Sequence, residues 1–145
     1  MFYSELINQA IDIAYKAHHG QTDKAGRPYF LHPVIVAQSM NTESEICAAL
    51  LHDVIEDSNI TLSELEKIFP PEITQAVNLL THKQGVEYED YIRAIKSNPI
   101  AKKVKLADIA HNLDKTRLTT PELLANYEKR KAKYNRALEI LNNNS

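Results

Sequence analysis

The sequence predicts an all-α fold, and three features carry that prediction. Apolar residues recur at helical spacing, as Leu6, Ile7, Ala10, Ile11 and Ala14 do near the start of the chain. The chain has no run of alternating β-branched residues, which would be typical of a half-buried strand. The glycines and prolines fall between the apolar-periodic segments and interrupt none of them. We therefore expect helices joined by short loops.

The first three helices are predicted by periodicity and by signals at their starts. Apolar spacing places the first over residues 4–18, and a polar loop over 19–29 follows it. Pro33 stands in the first turn of a second helix over 33–40, where a missing N–H costs least. Thr42 and Glu45 have the spacing of a capping box and begin a third helix over 43–56.

The remaining helices follow the same rules. Thr61 and Glu64 form a second capping-box pattern before a helix over 62–69. Pro71 begins a helix over 71–81, and another covers 87–96. Asn98-Pro99 and Thr120-Pro121 each read as a cap followed by the first helical residue. These two caps predict helices over 99–114 and 121–141, and we expect residues 142–145 to be a frayed tail.

Length and composition set the class of protein. The chain has 145 residues, which predicts one domain over 1–145. A net charge of −2 excludes a polyanion binder that acts through bulk charge and leaves a local basic pocket open, and we expect no nucleic-acid partner. The single cysteine, Cys47, excludes an intrachain disulfide framework. No apolar stretch is long enough to span a membrane, and the N-terminus does not read as a signal peptide. We therefore expect a cytoplasmic protein.

The glycine pattern bears on how a phosphate could be bound. The chain contains neither the GxGxxG pattern nor the GxxxxGK[ST] pattern of the common phosphate-binding loops. If a phosphate binds, side chains or a metal ion must hold it.

The predicted third helix ends in ionisable groups after an apolar run. Asp53, Glu56 and Asp57 follow His52 at spacings that crowd three carboxylates on one helical face. Like charges at these spacings repel, and the C-terminal end of a helix dipole disfavours anions. A bound cation would relieve both penalties. The simpler alternative is a polar helix end that runs into a loop.

Two further residues are candidate metal ligands. His32 lies just before the predicted helix start at Pro33, and a histidine there, taken alone, is more often a hydrogen-bonded residue at a helix entry than a ligand. Asp108 is embedded in apolar residues, and a buried carboxylate needs a partner. That partner is either Lys105, one turn earlier, or a metal. Asn112 lies one turn after Asp108, where it could bind a substrate or orient a ligand.

The order His32, His52-Asp53 and Asp108 resembles the H…HD…D signature of HD-domain metal-dependent phosphohydrolases. The chain is also similar to the hydrolase domain of the Rel/SpoT alarmone enzymes, and more so to the stand-alone small alarmone hydrolases. This resemblance covers about residues 4–115. The matching motifs are His19-Gly20-Gln21, Lys24, Gly26, Pro28-Tyr29, His32-Pro33, Ala49-Leu50-Leu51-His52-Asp53, Glu56-Asp57, Val104-Lys105-Leu106-Ala107-Asp108 and Asn112-Leu113.

The resemblance implies a compact HD-type helical domain with one divalent ion, most often Mn²⁺. The ligands it implies are His32, His52, Asp53 and Asp108, whereas ligand chemistry alone leaves Mn²⁺, Zn²⁺ and Fe²⁺ open. It also implies that the pair Glu56-Asp57 helps to activate the attacking water.

The implied reaction is hydrolysis of the 3′-diphosphate of (p)ppGpp, which gives GDP or GTP and pyrophosphate and links the chain to the stringent response. The 145 residues leave none for a synthetase half like that of the large Rel/SpoT enzymes, so we expect no synthesis of the alarmone by this chain. The substrate-binding residues that we expect are Lys24, Lys105 and Asn112.

One position departs from the pattern. Alarmone hydrolases carry an arginine that helps to hold the guanine base, and Asp23 stands in its place here. A carboxylate cannot supply the contact between a guanidinium and a ring. We therefore expect weaker guanine selectivity, which Asp23→Arg should restore in part.

Two other functions stay open at this level. One is hydrolysis of another nucleotide, such as an adenine alarmone, on the same fold. The other is a non-catalytic helical sensor or binding module. The retained Glu56-Asp57 pair favours an enzyme, since a pure binder would not need a water-activating pair. The sequence leaves the oligomeric state undetermined.

Overall fold

The computed structural model describes residues 1–143, and the all-α prediction is confirmed: these residues form helices and contain no β-strand. An isolated bridge between Thr22 and Pro28 closes the loop after the first helix. A 3-10 turn at Lys115–Arg117 precedes the last helix. The helices are α1 Glu5–His18, α2 Leu31–Gln38, α3 Glu43–Leu51, α4 Val54–Asp57, α5 Leu62–Glu66, α6 Pro71–Leu80, α7 Tyr88–Lys96, α8 Pro99–Asn112 and α9 Pro121–Asn142.

Helix α3 lies at the centre of the fold. Its six residues from Ile46 to Leu51 are fully buried, and it packs against α1, α2, α6 and α8. A helix that is apolar on all sides is stable only when other helices surround it. The apolar run in the sequence therefore fixes the position of α3, and the polar residues that follow Leu51 emerge from the middle of the core.

The predicted third helix over 43–56 is wrong in one respect, because the structure divides it at His52 and Asp53. Helix α3 ends at Leu51, and Asp53 takes φ −107° and ψ 0° before the short α4 begins at Val54. Asp53 is thus at the start of a new helical turn and not at the C-terminal end of a long helix. The dipole penalty that we expected for its carboxylate does not arise there.

The start of α2 also differs from the prediction. The helix begins at Leu31, so His32 lies within its first turn and does not precede it, and Pro33 is the third helical residue. The missing N–H of the proline costs no hydrogen bond there, because N–H groups in the first turn of a helix have no acceptor within the helix. His32 is 4% exposed, so the turn holds its ring inside the protein.

The last helix is longer than predicted by one residue and ends at Asn142. Of the tail that we expected to fray, Asn142 is therefore helical, and residues 144–145 lie outside the described residues. Along residues 1–143, no helix combines the length and the apolar character that a membrane crossing requires.

The capping box at the start of α3 gives a first testable prediction. Thr42 Oγ1 accepts a hydrogen bond from Glu45 N–H at 3.2 Å, and Glu45 Oε1 accepts one from Thr42 N–H at 3.2 Å. We expect Thr42→Ala to lower the free energy of unfolding by about 1 kcal/mol, the usual cost of losing an N-cap. Chemical denaturation measures it.

The matched control is Thr61→Ala, which removes the same kind of cap from the five-residue α5. Helix α5 is short and contributes Leu65 to the core, whereas α3 is buried throughout. We expect the smaller loss at Thr61. An equal or larger loss of unfolding free energy in Thr61→Ala would show that the cap of α3 stabilises the protein no more than the cap of α5 does.

Candidate active site

The break after α3 places His52 and Asp53 side by side at the end of the central helix. The Nε2 atom of His52 is 3.1 Å from Asp53 Oδ2. His52 is 2% exposed, while Asp53 is only partly covered. Because α3 is fixed by its burial, these two groups have little freedom to move.

His32 from α2 and Asp108 from α8 meet them at the same point. His32 Nε2 lies 2.7 Å from Asp108 Oδ1 and 3.9 Å from Asp53 Oδ2. His52 Nε2 lies 3.5 Å from the same Asp108 oxygen. The structure thus brings together all four candidate ligands, from α2, the α3–α4 break and α8. The donor atoms of His32, His52 and Asp53 fit within 4.8 Å of one another, as a metal site requires.

The hydrogen bonding of His52 fits a metal ligand. Its Nδ1–H donates to the carbonyl of Ala49 at 2.6 Å, which leaves Nε2 as the atom with a free lone pair. This Nε2 is buried and has no aligned hydrogen-bond partner among residues 1–143, although Asp53 Oδ2 is close. An imidazole held through one nitrogen by a backbone carbonyl and open at the other is the usual arrangement of a ligating histidine.

The charges around this point favour a cation. Burial would lower the pKa of His52, but the carboxylates of Asp53 and Asp108 raise that pKa well above its usual value. Burial opposes the ionisation of Asp108 too, yet Lys105 and both imidazoles hold its pKa well below the ordinary range. Burial also opposes ionisation of Asp53, and the neighbouring His52 outweighs it and brings the pKa to about 2. Both carboxylates are therefore anionic, and either a proton or a metal ion can balance them.

Three further side chains orient the cluster. The hydroxyl of Tyr29 donates to Asp53 Oδ2 at 2.6 Å. Lys105 Nζ is 2.9 Å from the outer oxygen of Asp108, which leaves the inner oxygen for the imidazoles. His32 Nδ1 shares a 2.7 Å hydrogen bond with His111 Nδ1. Burial together with Arg117 and His32 lowers the pKa of His111 to about 4, so its ring is neutral at neutral pH.

The pair Glu56-Asp57 lies about one turn after Asp53, in α4, and both residues are exposed. A carboxylate oxygen of Glu56 accepts a hydrogen bond from the backbone N–H of His82. Partial burial of the Glu56 carboxyl and the charges of Asp53 and Asp57 raise its pKa above the ordinary value, which the His82 N–H opposes. Partial burial and the Asp53 charge likewise raise the pKa of Asp57. A carboxylate with a raised pKa is a stronger proton acceptor.

A known protein family has a model that covers this cluster. The family model of the HD domain matches residues 10–122, which is most of the chain and includes all four residues of the cluster. The chain belongs to the HD-domain family. Membership of this family implies a divalent metal ion, and the cluster of His32, His52 and Asp53 supplies the donors for one.

Proteins similar to this HD domain include long Rel/SpoT-type proteins. A GTP pyrophosphokinase rsh of Brucella melitensis is 37% identical over 123 residues, which cover 74% of this chain and 16% of the relative. A bifunctional (p)ppGpp synthase/hydrolase SpoT of Escherichia coli K12 is 34% identical over 122 residues, with 74% and 17% covered. The chain therefore spans about one sixth of the length of these relatives.

A solved structure has the same fold. It is described as that of a metazoan ortholog of SpoT that hydrolyzes ppGpp and plays a role in starvation responses. It matches with a TM-score of 0.79 at 24% identity and covers 98% of this chain and 88% of its own. The HD-type fold that the sequence predicted is thereby confirmed.

Beside the cluster of His32, His52, Asp53 and Asp108, the HD domain has an open cavity of about 390 Å³ between the 22–27 loop, the end of α8 and one side of α9. Two of the predicted substrate-binding residues, Lys24 and Asn112, line it. Asn112 Nδ2 also donates to Asp108 Oδ1 at 3.3 Å, so one side chain contacts both the cavity and the cluster. Tyr29 lines the cavity in the same way and reaches Asp53.

The third predicted substrate-binding residue, Lys105, has a different place. Its ammonium is paired with Asp108, lies 5.2 Å from the centre of the Tyr91 ring and is only 12% exposed. Its cationic form is thus already engaged inside the protein. A contact between Lys105 and a phosphate stays a prediction.

The structure adds cavity residues that the sequence analysis did not select. They are Arg27, Arg117 and Leu118 near the loop and the 3-10 turn, and Leu123, Arg130 and Tyr134 on α9. The i, i+4 spacing of Arg130 and Tyr134 was a visible signal that both lie on one face of α9. Nothing in the sequence indicated which face of α9 turns toward the cluster.

Asp23 has a structural role that changes the expectation for this position. Its Oδ1 accepts hydrogen bonds from Ala25 N–H at 2.9 Å and Arg27 N–H at 3.0 Å, and its Oδ2 lies 3.3 Å from Arg117 Nη2. Burial would raise the pKa of Asp23, but these backbone N–H groups and Arg117 lower it. The carboxylate therefore closes the loop and holds a guanidinium in the cavity. Asp23→Arg would remove both interactions and set two like charges against each other.

Proposed function

We propose that this HD domain is a metal-dependent hydrolase of (p)ppGpp-type alarmones that removes the 3′-diphosphate. The observation that supports it best is the convergence of His32, His52, Asp53 and Asp108 at one point. The carboxyls of Glu56 and Asp57 are near enough for the charge of Asp53 to raise their pKa values. The named activities of the SpoT relatives support the choice of substrate.

In this proposal His32, His52, Asp53 and Asp108 hold one divalent ion, and we propose Mn²⁺. Two imidazoles and two carboxylates suit this metal as well as several others, so its identity is a matter for measurement. When bound, such an ion lowers the pKa of a water molecule and polarises a phosphoryl oxygen.

The protein's own groups supply the proton transfer and the placing of the substrate. Glu56, with Asp57 beside it, accepts a proton from the attacking water. The water oxygen forms a new bond to the phosphorus attached to the ribose 3′ oxygen, and the bond between that phosphorus and the 3′ oxygen breaks. The 3′ oxygen leaves with the bonding electrons and takes up a proton. From ppGpp and one water, the products are GDP and pyrophosphate.

The test is a nucleotide panel assayed for both released products. Purified protein loaded with Mn²⁺ is incubated with ppGpp, pppGpp, ppApp, GTP and dGTP, and phosphate and pyrophosphate are measured separately. We expect pyrophosphate release from the 3′-diphosphates alone. Release of phosphate, or turnover of 5′-triphosphates only, would assign another nucleotide hydrolase activity. Tight binding with no turnover of any compound would indicate the sensor module.

Tyr29 provides a test of the metal cluster that leaves every proposed ligand in place. Tyr29→Phe removes only the hydroxyl that donates to Asp53 Oδ2. Partners of this kind orient metal ligands, and their loss usually weakens metal binding about 10- to 100-fold. We expect that change in the Kd for Mn²⁺, measured by titration calorimetry. Tyr3→Phe, at an exposed tyrosine far from the cluster in sequence, is the control. An unchanged Kd for Tyr29→Phe would mean that the hydroxyl does not orient Asp53.

The proposal extends to the setting of the enzyme. We propose that residues 1–145 act as one HD-type hydrolase domain on a small-molecule nucleotide in the cytoplasm. The absence of a nucleic-acid partner stays a prediction from the net charge of −2.

A further inference from the structure

The cavity next to the four candidate metal ligands is lined by residues that suit a nucleotide, which combines an aromatic base with phosphates. Its charged lining consists of four cations, Lys24, Arg27, Arg117 and Arg130, and two carboxylates, Asp23 and Asp114. Its volume of about 390 Å³ lies within the usual range of small-molecule sites. The excess of positive charge suits an anionic ligand, and Tyr134 and two leucines in the lining suit an apolar one.

Within this cavity the guanidinium of Arg117 is fixed by protein oxygens. Its Nη1 donates to the carbonyl of His111 at 3.0 Å and lies 3.5 Å from Asn112 Oδ1. Its Nη2 donates to Asp23 Oδ2 at 3.3 Å. Arg27 Nη1 donates to the backbone carbonyl of Arg117 at 3.3 Å, so the 3-10 turn is also tied to the 22–27 loop.

These contacts decide how Arg117 can recognise a ligand. The N–H groups of a guanidinium lie in its plane, and both terminal nitrogens already donate to oxygens of the protein. These hydrogen bonds hold the plane in one orientation, so a ligand in the cavity meets a fixed guanidinium and can stack on its flat face. A guanidinium face binds aromatic rings by stacking and by cation–π attraction, and every nucleobase has such a face.

We propose that Arg117, oriented by Asp23, is the residue on which the base of the nucleotide stacks. This inference rests on the proposed function for the nature of the ligand, and it goes beyond it in naming the residue that binds the base. Asp23 acts through Arg117 as a positioning residue. Since stacking does not read the edge of the base, Arg117 supports guanine and adenine alike, and base choice is left to the polar groups of the cavity.

The test measures the binding of products, so it does not depend on turnover. GDP, ADP and pyrophosphate are titrated separately by calorimetry into the Mn²⁺-loaded protein and into Arg117→Ala. Loss of one stacked base contact costs about 5- to 150-fold in affinity. We expect the Kd values for GDP and ADP to rise by similar factors in that range, while the Kd for pyrophosphate changes less than twofold.

Two further variants keep the test decisive if Arg117→Ala does not fold. Arg117→Lys keeps the positive charge but cannot place two nitrogens on separate oxygens, and it should also weaken GDP and ADP. Asp23→Asn keeps an oxygen for the loop N–H groups and removes the charge that holds Arg117. It should weaken both nucleotides in the wild-type background, which needs no Arg117→Ala protein, and where Arg117→Ala does fold it should change little there. Arg93→Lys, at an exposed arginine on α7, is the matched control.

Each other result overturns the inference. Unchanged Kd values for both nucleotides would remove Arg117 from the site, and a loss for GDP alone would show edge recognition in place of stacking. Equal weakening of pyrophosphate would mean that the change acts through the metal cluster. If the wild-type protein binds neither nucleotide, the cavity is not a base site, whatever the hydrolysis panel shows. If Arg117 supports both nucleotides but no alarmone is hydrolysed, the inference stands and the proposed function fails.

Discussion

Asp53→Ala is expected to abolish stoichiometric binding of the divalent ion and, with it, hydrolysis, while the helices remain. Asp53 Oδ2 is the oxygen on which His52 Nε2 and the Tyr29 hydroxyl converge, at 3.1 and 2.6 Å. Without this carboxylate the cluster loses one of its two anionic donors. Elemental analysis after exhaustive dialysis measures the metal, and circular dichroism measures the helix content.

His52→Ala should give the same loss of metal with a larger loss of stability. The His52 ring is 2% exposed and its Nδ1–H donates to the carbonyl of Ala49, so its removal leaves a void and takes away one of the two hydrogen bonds that this carbonyl accepts. Asp53→Asn separates charge from size at the neighbouring position. It keeps an oxygen for Tyr29 and should still lose most of the metal.

The control for both changes is Asp12→Ala. Asp12 is an exposed aspartate on α1 that pairs with Lys16, so its loss should leave metal content and fold unchanged. Full metal occupancy in a folded Asp53→Ala or His52→Ala protein would remove that residue from the set of ligands.

Part of the candidate site could be predicted, because the placement of His52 and Asp53 depends on a short-range pattern in the sequence. The run from Ile46 to Leu51 is apolar without interruption, and such a run has to be buried. Polar residues that follow it directly, His52 and Asp53, must then emerge inside the protein. The apolar residues around Asp108 indicated in the same way that its carboxylate is buried. The structure places this carboxylate 3.5 Å from His52 Nε2.

The break between α3 and α4 could not be predicted from the same pattern. His52, Asp53 and Val54 all allow a continuous helix, and no proline or glycine marks the end at Leu51. The interruption belongs to tertiary structure: the nitrogen of His52 and the oxygen of Asp53 face the side chains of α2 and α8. Local propensity gives way there to long-range contacts.

The role of Asp23 was out of reach of the sequence for a similar reason. When position 23 is considered by itself, a carboxylate in place of the expected arginine predicts only that a contact to the base is lost. The cation that pairs with Asp23 is Arg117. It is 94 residues away and lies in a 3-10 turn that the sequence did not predict. An ion pair between segments that are distant in the chain can be identified only once the fold shows that the two side chains are close.

Glu56→Gln is expected to keep the metal and the fold but to lower kcat by about 10²- to 10⁴-fold, the usual range for the loss of a general base. Glutamine has the size of glutamate and keeps an oxygen for the His82 N–H, so the loop contact can persist. The change therefore removes mainly the ability to accept a proton. The rate is measured with ppGpp at saturating metal and substrate, and metal content is measured in the same samples.

Two comparisons decide whether Glu56 is that base. Glu64→Gln, at an exposed glutamate on α5, should leave the rate unchanged and controls for the loss of a surface charge. Asp57→Asn should lower kcat by a smaller factor, since Asp57 adds charge beside Glu56 and its carboxylate is a less direct acceptor in this proposal. If Glu56→Gln keeps the full rate and Asp57→Asn loses it, the proton goes to Asp57. The raised pKa of Glu56 would then reflect only its burial beside two other carboxylates.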